Sequence, residues 1–399
     1  MSAVHAIQKK VPLSDLLAVN QPIENARGMP NPAYTDWDTF KFEREHVFAP
    51  GWTALTFVDL IPENKTVVPM DFMGLPVFLS RDKTGQIRVF HNVCSHRGVR
   101  LVREPRRTNG MVVCPYHAWS YDLTGNLRAT PHIGGVGVNT APGFECKNHG
   151  LKEIRSHIWL GVVFVNLSGD AADFEEHASP LLDRYHEYTG KEGLDEIRLA
   201  STHGSISFDI KCNWKLAVEN YTEAYHLPWV HPDLNTYSPL DKHDNVIISD
   251  DFSGQITHVF NPQFEGAPNL PVFGHWPESE HHHAEYPTFY PNLLLGFQVN
   301  HVFALIVRPV EPGRVEENLR IFYVGDDANT DHYERTREMN WKAWKQVFTE
   351  DVESVEGMQI GRGSPGYVGG AFSPILEGCS HHFHQWVARK YTEAYRKYG

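Results

Sequence analysis

Two short segments of the chain each contain one cysteine and one histidine, and this pairing restricts the fold more than any other feature. One residue separates Cys94 from His96, two separate Cys114 from His117, and 17 residues lie between the pairs. Thiolates and imidazoles together suit zinc or iron–sulfur chemistry. Structural zinc sites normally combine a pair of cysteines in one loop with a pair of histidines in another, which is not the arrangement here.

A loop that offers one thiolate and one imidazole suits a two-iron cluster gripped between two hairpin tips. One iron then takes both cysteines and the other takes both histidines, which is the ligand set of a Rieske [2Fe–2S] centre. The sequence therefore predicts that Cys94, His96, Cys114 and His117 hold such a cluster, with zinc as the alternative. Five cysteines in 399 residues do not suggest a disulfide framework.

Charge and hydropathy exclude several classes of partner. The formal net charge of −13 argues against nucleic acid or an anionic membrane as the main partner, because both attract basic surfaces. The first residues lack the apolar core of a signal peptide, and no apolar run approaches the roughly 20 residues of a membrane span. We expect a soluble, cytoplasmic protein.

The order of strand-like and helix-like segments predicts two domains. Short segments rich in β-branched and aromatic residues fill residues 50 to 166, and the polar stretch SGDAADFEEHASP follows them. Beyond it we expect a helix near 211–226, strands between 292 and 325, a long helix over 331–360 and a short final helix. The predicted class is α+β with antiparallel sheets in both domains. The predicted divisions are an N-terminal segment 1–45, a first domain 46–167 and a second domain 168–399.

A second group of candidate ligands lies in ENYTEAYHLPWVHP, residues 219–232. In a helix, Glu219, Glu223 and His226 are spaced by four and three residues and share one face. Pro228 is expected to end the regular helix, so that His231 returns toward His226. Two such histidines with a carboxylate form the 2-His-1-carboxylate triad of non-haem iron; capping or core histidines are the alternative.

The third ligand is predicted from the long helix near the C-terminus. Its apolar stripe, at 100° per residue, consists of Trp341, Trp344, Val347, Phe348, Val355 and Met358. Asp351 lies in the middle of this stripe, Glu350 lies at its flank, and Glu353 and Glu356 point to the opposite face. A buried carboxylate without a partner is costly. Asp351 therefore needs a partner, for which we predict iron, with a buried Asp–Arg pair as the alternative.

The cluster motif, the sequence N-x-x-E-x-Y-H-x₄-H and the late aspartate together resemble the α subunit of a Rieske non-haem iron oxygenase, over nearly the whole chain. The resemblance implies a helix-grip catalytic domain, in which an antiparallel sheet wraps over a long C-terminal helix, and a head-to-tail homotrimer. It implies the same cluster ligands and assigns His226, His231 and Asp351 to a mononuclear iron(II). It also implies O₂ as a substrate and a separate flavin and iron–sulfur reductase that brings electrons from NAD(P)H.

Glu223 stands where that family has an acidic residue that bridges a cluster histidine of one subunit to an iron histidine of the next. Most aromatic-ring dioxygenases carry Asp at this point. A glutamate at this position instead resembles the branch of the family that oxidises glycine betaine, carnitine, choline and proline betaine. We therefore expect an enzyme that hydroxylates a quaternary ammonium substrate and N-demethylates or cleaves it. The alternatives are an oxygenase that hydroxylates aromatic rings or demethylates aryl ethers, and a Rieske electron carrier without oxygen chemistry.

Aromatic residues before the last long helix fit a quaternary ammonium substrate through cation–π contacts, although the sequence assigns no substrate-binding residue. They are Trp229, Phe260, Phe273, Trp276, Tyr286, Phe289 and Tyr290. The histidine runs at 281–283 and 381–384 are interpreted as loop or core histidines.

Overall fold

The computed structural model describes residues 3–399, which form two compact units. The small unit comprises Ala49–Ala171, and the large unit comprises the residues up to Phe48 together with Ala172–Gly399. Each unit contains antiparallel sheet, and most of the helices belong to the large unit. The predicted α+β class is confirmed.

The small unit is built from short antiparallel strands. They are β1 Thr53–Phe57, β2 Thr66–Phe72, β3 Leu75–Arg81, β4 Ile87–His91, β5 Arg106–Arg107, β6 Met111–Val113, β7 Ser120–Asp122, β8 Leu127–Ala129, β9 Glu153–Trp159 and β10 Val162–Asn166. Seven form a sheet in the order β1-β10-β9-β4-β3-β2-β5, and β6-β7-β8 form a second sheet. Every residue of β1 and β10 is buried, as their runs of β-branched and aromatic residues require.

The described residues of the large unit form an eight-stranded antiparallel sheet and ten α-helices. The helices are α1 Ala3–Lys10, α2 Leu13–Val19, α3 Pro32–Thr35, α4 Trp37–Glu43, α5 Phe174–Thr189, α6 Trp214–Tyr221, α7 Leu227–Val230, α8 Leu234–Tyr237, α9 Glu334–Arg362 and α10 Gly378–Tyr398. The strands are β11 Ile197–Leu199, β12 Ser205–Ile210, β13 His243–Ser249, β14 Phe252–Thr257, β15 Ala284–Phe289, β16 Leu293–Gln298, β17 His301–Glu311 and β18 Arg314–Val324. The sheet order is β11-β18-β17-β16-β15-β14-β13, and β12 also pairs with β18.

Single turns of other helix types complete the two units. A π-helical turn spans Arg44–Phe48, and 3₁₀ turns span Val58–Leu60, Cys146–Asn148, Gly193–Asp195, Leu240–Lys242, Glu278–Glu280, Asp327–Asn329 and Asp331–Tyr333.

Helix α9 packs on the sheet through aromatic side chains. The ring centroid of Phe303 in β17 lies 4.6 Å from that of Trp344 and 5.7 Å from that of Phe348. Trp344, Phe348 and Val355 are buried as predicted, but Met358, near the end of the same stripe, is 37% exposed. Helix α10 has 21 residues, so the prediction of a short final helix is wrong.

We found no helix among residues 3–399 that is both long enough and apolar enough to cross a membrane.

Candidate metal centres and active site

The two Cys–His loops of the small unit have matching backbone hydrogen bonds. In the first loop the Cys94 N–H donates to Val99 O at 2.9 Å; in the second the Cys114 N–H donates to Trp119 O at 2.8 Å. Each loop also has a left-handed residue four positions after its cysteine. These are Gly98, with φ 74°, and Ala118, with φ 56°. The loops are therefore two similar turns, each of which presents one cysteine and one histidine.

The two thiols are buried and close to each other. Cys94 is 2% exposed and Cys114 is 3% exposed. Burial raises the pKa of the Cys114 thiol; the backbone N–H groups of Tyr116 and His117 oppose this rise, and the neighbouring Cys94 thiol adds to it. Two buried thiols that face each other, with N–H donors aimed at one of them, suit a pair of thiolates bound to a shared cation.

Tyr121 is fully buried beside the first loop and holds Cys94 and Ser95 in place. Its hydroxyl lies 3.1 Å from the Cys94 sulfur and 2.9 Å from Ser95 Oγ. The Ser95 hydroxyl also donates to His149 O at 2.7 Å. Hydrogen bonds to cluster sulfurs tune the reduction potential of an iron–sulfur centre. Motif spacing does not identify Tyr121, because this residue follows the second motif in the sequence but contacts the first.

The imidazoles of His96 and His117 lie side by side, with ring centroids 4.7 Å apart. The His96 ring stacks on Trp119 at 4.5 Å and 9°. Nδ1 of His117 is buried and has no hydrogen-bond partner among the described residues. An orphaned imidazole nitrogen beside a second imidazole and two buried thiols fits the donor set of a Rieske cluster.

In the large unit, the segment with the second group of candidate ligands is less helical than predicted. Asn213 caps α6 by accepting a hydrogen bond from the Lys215 N–H, and the helix ends at Tyr221. Residues 222–226 form a turn, and Pro228 lies in the first turn of α7 rather than at the end of α6.

Glu219 is consequently not on the same helix as Glu223 and His226, although all three line one recess. Its carboxylate accepts a hydrogen bond from the Tyr34 hydroxyl at 2.5 Å and lies 3.2 Å from His384 Nε2 and 3.4 Å from Arg362. It connects α6 to three other elements.

The structure brings His226, His231 and Asp351 together as one possible metal-binding group. One ligand atom from each residue lies within 4.8 Å of the other two. Asp351 Oδ1 is 3.0 Å from His231 Nε2 and 3.6 Å from His226 Nε2. Two imidazole nitrogens and one carboxylate oxygen that converge in this way fit a facial triad with open positions for other ligands.

Each histidine of this group has a carboxylate on its other ring nitrogen. Glu223 Oε1 is 2.5 Å from His226 Nδ1, and Glu350 Oε2 is 2.8 Å from His231 Nδ1. Burial disfavours protonation of His231, but its hydrogen bonds with Asp351 and Glu350 outweigh this effect and raise its pKa. Carboxylates in these positions fix the tautomer and orientation of metal-binding histidines. Glu350 lies at the flank of the predicted apolar stripe, and its contact with His231 was not predicted.

Comparison with known protein families gives two matches. Residues 51–142 match the Rieske [2Fe–2S] domain, and residues 197–393 match the catalytic domain of the ring hydroxylating alpha subunit. Together the two stretches span more than half of the chain. The chain belongs to the Rieske non-haem iron oxygenases. The oxygenase therefore binds a Rieske [2Fe–2S] cluster and a mononuclear iron, and both predicted cofactors are confirmed.

Relatives of the oxygenase cover almost its entire length. The carnitine monooxygenase oxygenase subunit of Escherichia coli K12 is 26% identical over 93% of this chain and 95% of its own. The chloroplastic choline monooxygenase of Arabidopsis thaliana is 27% identical over 91% of this chain and 82% of its own. A solved quaternary ammonium Rieske monooxygenase, 21% identical, superposes with a TM-score of 0.76 over 94% of this chain and 98% of its own. This likeness shows that the fold is shared.

The three clustered residues of the oxygenase border a cavity of about 70 Å³ between α6, α9 and the sheet. Four aromatic side chains contribute to its wall: Tyr221, Tyr286, Trp344 and Phe348. Of the seven aromatic residues that the sequence singled out, only Tyr286 lines this cavity. Phe273, Trp276, Phe289 and Tyr290 are buried elsewhere, and Trp229 is 71% exposed.

Polar side chains also contribute to the cavity wall and were not predicted from the sequence. Ser238, His243 and Gln255 line the cavity. Burial lowers the pKa of His243 to about 4, so its imidazole is neutral at physiological pH. Gln255 donates its amide N–H groups to Thr222 O and Asn245 Oδ1, which leaves its oxygen as an acceptor.

Histidines of the two runs lie apart from this group, as interpreted from the sequence. His381 and His384 are buried in α10, and His283 is buried at the start of β15.

Proposed function

We propose that Cys94, His96, Cys114 and His117 hold the cluster and that His226, His231 and Asp351 hold the iron. The orphaned Nδ1 of His117 and the convergence of the three ligand atoms support this assignment. Bound at these residues, the cluster supplies single electrons and the iron supplies a site for O₂ activation. The same proposal makes 46–167 the cluster domain and 168–399 the catalytic domain, with 1–45 packed on the latter.

We further propose that the substrate is a quaternary ammonium compound. The observation that carries this proposal is the chemistry of the cavity wall. Trp344 donates its only N–H to His301 at 2.9 Å, and the Tyr221 hydroxyl donates to Leu295 O. These polar groups are engaged by residues that do not line the cavity, so both residues offer mainly ring surface to a ligand. Aromatic faces attract a trimethylammonium group without requiring any hydrogen bond from it.

The charges around the cavity favour the same ligand. Glu223 and Asp351 contribute carboxylates, and neither lysine nor arginine occurs among the described residues that line it. The names of the relatives point the same way, since they oxidise carnitine and choline.

The chain's own residues position this substrate and keep the metal ligands fixed. The ring faces hold the cationic head beside the triad, while Glu223 and Glu350 hold the two histidines by their outer nitrogens. Hydroxylation at an N-methyl carbon gives a hemiaminal, which collapses to formaldehyde and the demethylated amine. One O₂, one NAD(P)H and one proton are consumed in each turnover, and one oxygen atom leaves as water.

The test uses the holoenzyme with a reductase, NADH and a panel of substrates. The panel contains glycine betaine, carnitine, choline, proline betaine and 3,3-dimethylbutanol, the uncharged carbon analogue of choline. We expect formaldehyde or a hydroxylated or cleaved product from at least one charged compound and none from the analogue. Equal turnover of choline and its analogue would contradict the proposed role of the cation, and turnover of only an aromatic panel would favour ring hydroxylation.

A matched pair of variants tests the aromatic wall. Trp344→Leu removes a ring from the cavity wall. Trp341→Leu removes a ring from the same helix, but this ring lies outside the cavity and its N–H donates to Ser205 O. We expect the first variant to raise KM by roughly 5- to 30-fold, for a contact of about 1–2 kcal/mol, and the second to leave KM unchanged. Similar effects of both variants would contradict the proposed role of the aromatic wall.

We propose a homotrimer in which a second copy of this chain brings its cluster to Glu223. A recess of about 270 Å³ shares Glu223 and His226 with the cavity, is lined also by Met358 and Tyr367, and offers a place for it. Inter-subunit electron transfer is ascribed to the solved quaternary ammonium Rieske monooxygenase that shares this fold. The test mixes two inactive variants, Cys94→Ser and Asp351→Ala, during assembly. Recovery of activity requires transfer between subunits, and absence of recovery in confirmed mixed oligomers would contradict it.

A further inference from the structure

A second and larger cavity lies in the large unit, next to the cavity that borders the iron triad. This outer cavity measures about 470 Å³; residues 260–272 cover one side, and the turn Gln298–His301 and helix α9 form the other. Small-molecule sites usually measure roughly 300–1,000 Å³, whereas the inner cavity measures about 70 Å³. A substrate such as carnitine exceeds the inner cavity as it stands, and the outer cavity has room for it.

The two cavities share a partition built around Trp344. This residue lines the inner cavity and contacts two residues of the outer one. Its indole stacks on Phe260 with centroids 5.8 Å apart at 11°, and its N–H donates to His301 Nε2 at 2.9 Å. Because His301 Nε2 accepts this bond, the proton of the neutral ring lies on Nδ1, which donates to Asn300 Oδ1 at 2.6 Å.

The partition also contains a buried amide. Gln298 is 1% exposed and lines the outer cavity. Its amide lies against the hydroxyl of Tyr286, which lines the inner cavity, and acts to lower the pKa of that hydroxyl. Gln298 therefore reaches from the outer cavity to the wall of the inner one.

The charge of the outer cavity suits a cation. Its lining, as far as the structure describes it, contains the acidic Glu265 and neither lysine nor arginine. The side-chain amides of the lining supply oxygen acceptors and carry no net charge that would repel an ammonium group.

We propose that the outer cavity is the vestibule through which a quaternary ammonium substrate reaches the iron, and that Trp344, Phe260, His301 and Gln298 form its gate. This inference rests on the proposed function. A vestibule is a kinetic element, so narrowing it slows entry and exit equally and leaves the equilibrium affinity unchanged.

The test narrows the mouth without touching the gate. Val272 is 41% exposed and Asn269 also lies in the exposed part of the lining, so that tryptophan at either position fills the opening without disturbing the core. Ile247→Trp is the matched control, because Ile247 is 57% exposed and lines neither cavity. All three variants add the same fluorophore. The measurement is stopped-flow fluorescence of the holoenzyme, without reductant, mixed with tetramethylammonium or with choline.

For Val272→Trp and Asn269→Trp we expect association and dissociation rates to fall together by about tenfold or more, with unchanged Kd. The Ile247→Trp control should match the wild type. Unchanged rates in both mouth variants would overturn the vestibule while the proposed function stands. A raised Kd with unchanged association would also overturn it, because the outer cavity would then bind the ligand itself. No binding of either probe to the wild type would overturn the proposed function and the vestibule with it.

Discussion

Replacing Glu350 by alanine removes the acceptor that orients the His231 ring. Glu350 Oε2 lies 2.8 Å from His231 Nδ1, and the Gln346 amide donates to Glu350 Oε1 at 2.8 Å. His231 is only 1% exposed, so water has little access to take over the lost contact. The variant therefore leaves a buried imidazole N–H without a partner whenever Nε2 is bound to metal.

The size of the effect follows from that unpaired group. An unsatisfied buried donor costs roughly 1–3 kcal/mol, and each 1.4 kcal/mol is about a factor of ten in a binding constant. This range corresponds to roughly 5- to 150-fold, which agrees with the roughly 10- to 100-fold losses typical of residues that support metal ligands. We expect Glu350→Ala to weaken iron binding by about 10- to 100-fold.

The assay is a chelator titration of the holoenzyme in which retained mononuclear iron is measured. The visible spectrum of the cluster serves as an internal standard, since the proposed cluster ligands belong to the other unit. Glu353→Ala is the matched control, because it removes the same charge from an exposed position of the same helix. Wild-type iron affinity in Glu350→Ala, or an equal loss in Glu353→Ala, would refute the reasoning.

Three further changes test other parts of the molecule. Tyr121→Phe removes the hydroxyl 3.1 Å from the Cys94 sulfur; because a donor there favours the more negative reduced cluster, the reduction potential should fall. A redox titration followed by circular dichroism that gives an unchanged potential would contradict this. Burial, followed by the charge of Asp351, raises the pKa of Glu317 from 4.5 to about 8. The stability that its proton provides is present below pH 4.5 and lost as pH rises through 8. Glu317→Gln should therefore leave Tm nearly unchanged at pH 5 and raise Tm at pH 9. The corresponding gain in the free energy of unfolding at pH 9 is at most about 5 kcal/mol, at about 1.4 kcal/mol per pKa unit. Equal shifts of Tm at both pH values would contradict this. Lys215→Met leaves the Glu43 carboxylate buried without the partner that lies 2.6 Å away, so the free energy of unfolding should fall by about 3–5 kcal/mol. Denaturation that gives a loss below about 1 kcal/mol would show the charge to be compensated by its other donors.

The candidate site residues that the sequence proposes are those that local spacing alone identifies. The Cys–His pairs stand at loop tips whose geometry repeats within a few residues, and Asp351 is a carboxylate on an apolar helical stripe. Glu350 was not predicted because the residues around it in the sequence do not indicate its partner. That partner, His231, lies 119 residues earlier. Only the packing of α9 against the segment after α6 brings the two side chains together.

The segment after α6 differs from its predicted form for a similar reason. Helical periodicity continues through Glu219, Glu223 and His226, yet α6 ends at Tyr221. Glu219 instead contacts Tyr34 and His384, which lie 185 residues earlier and 165 later. Trp344 and Phe348 were predicted only as core positions of the apolar stripe, yet both also line the cavity.

The early end of α6 also determines what Glu223 can do. Its Oε2 accepts hydrogen bonds from the backbone N–H groups of Tyr225 and His226, and its Oε1 lies 2.5 Å from His226 Nδ1. A carboxylate oxygen has about two lone-pair sites, so Oε2 is filled within the chain and Oε1 keeps one site. In the proposed trimer, an imidazole of a second copy must therefore bind the same oxygen that holds His226, and the two rings are joined through a single atom. An aspartate at this position would withdraw the carboxylate by about one C–C bond, roughly 1.5 Å, and lose the contact to His226 unless the turn moved. The choice of glutamate over aspartate thus follows from the backbone of residues 222–226, and a bridge of the same length built on aspartate requires a different turn.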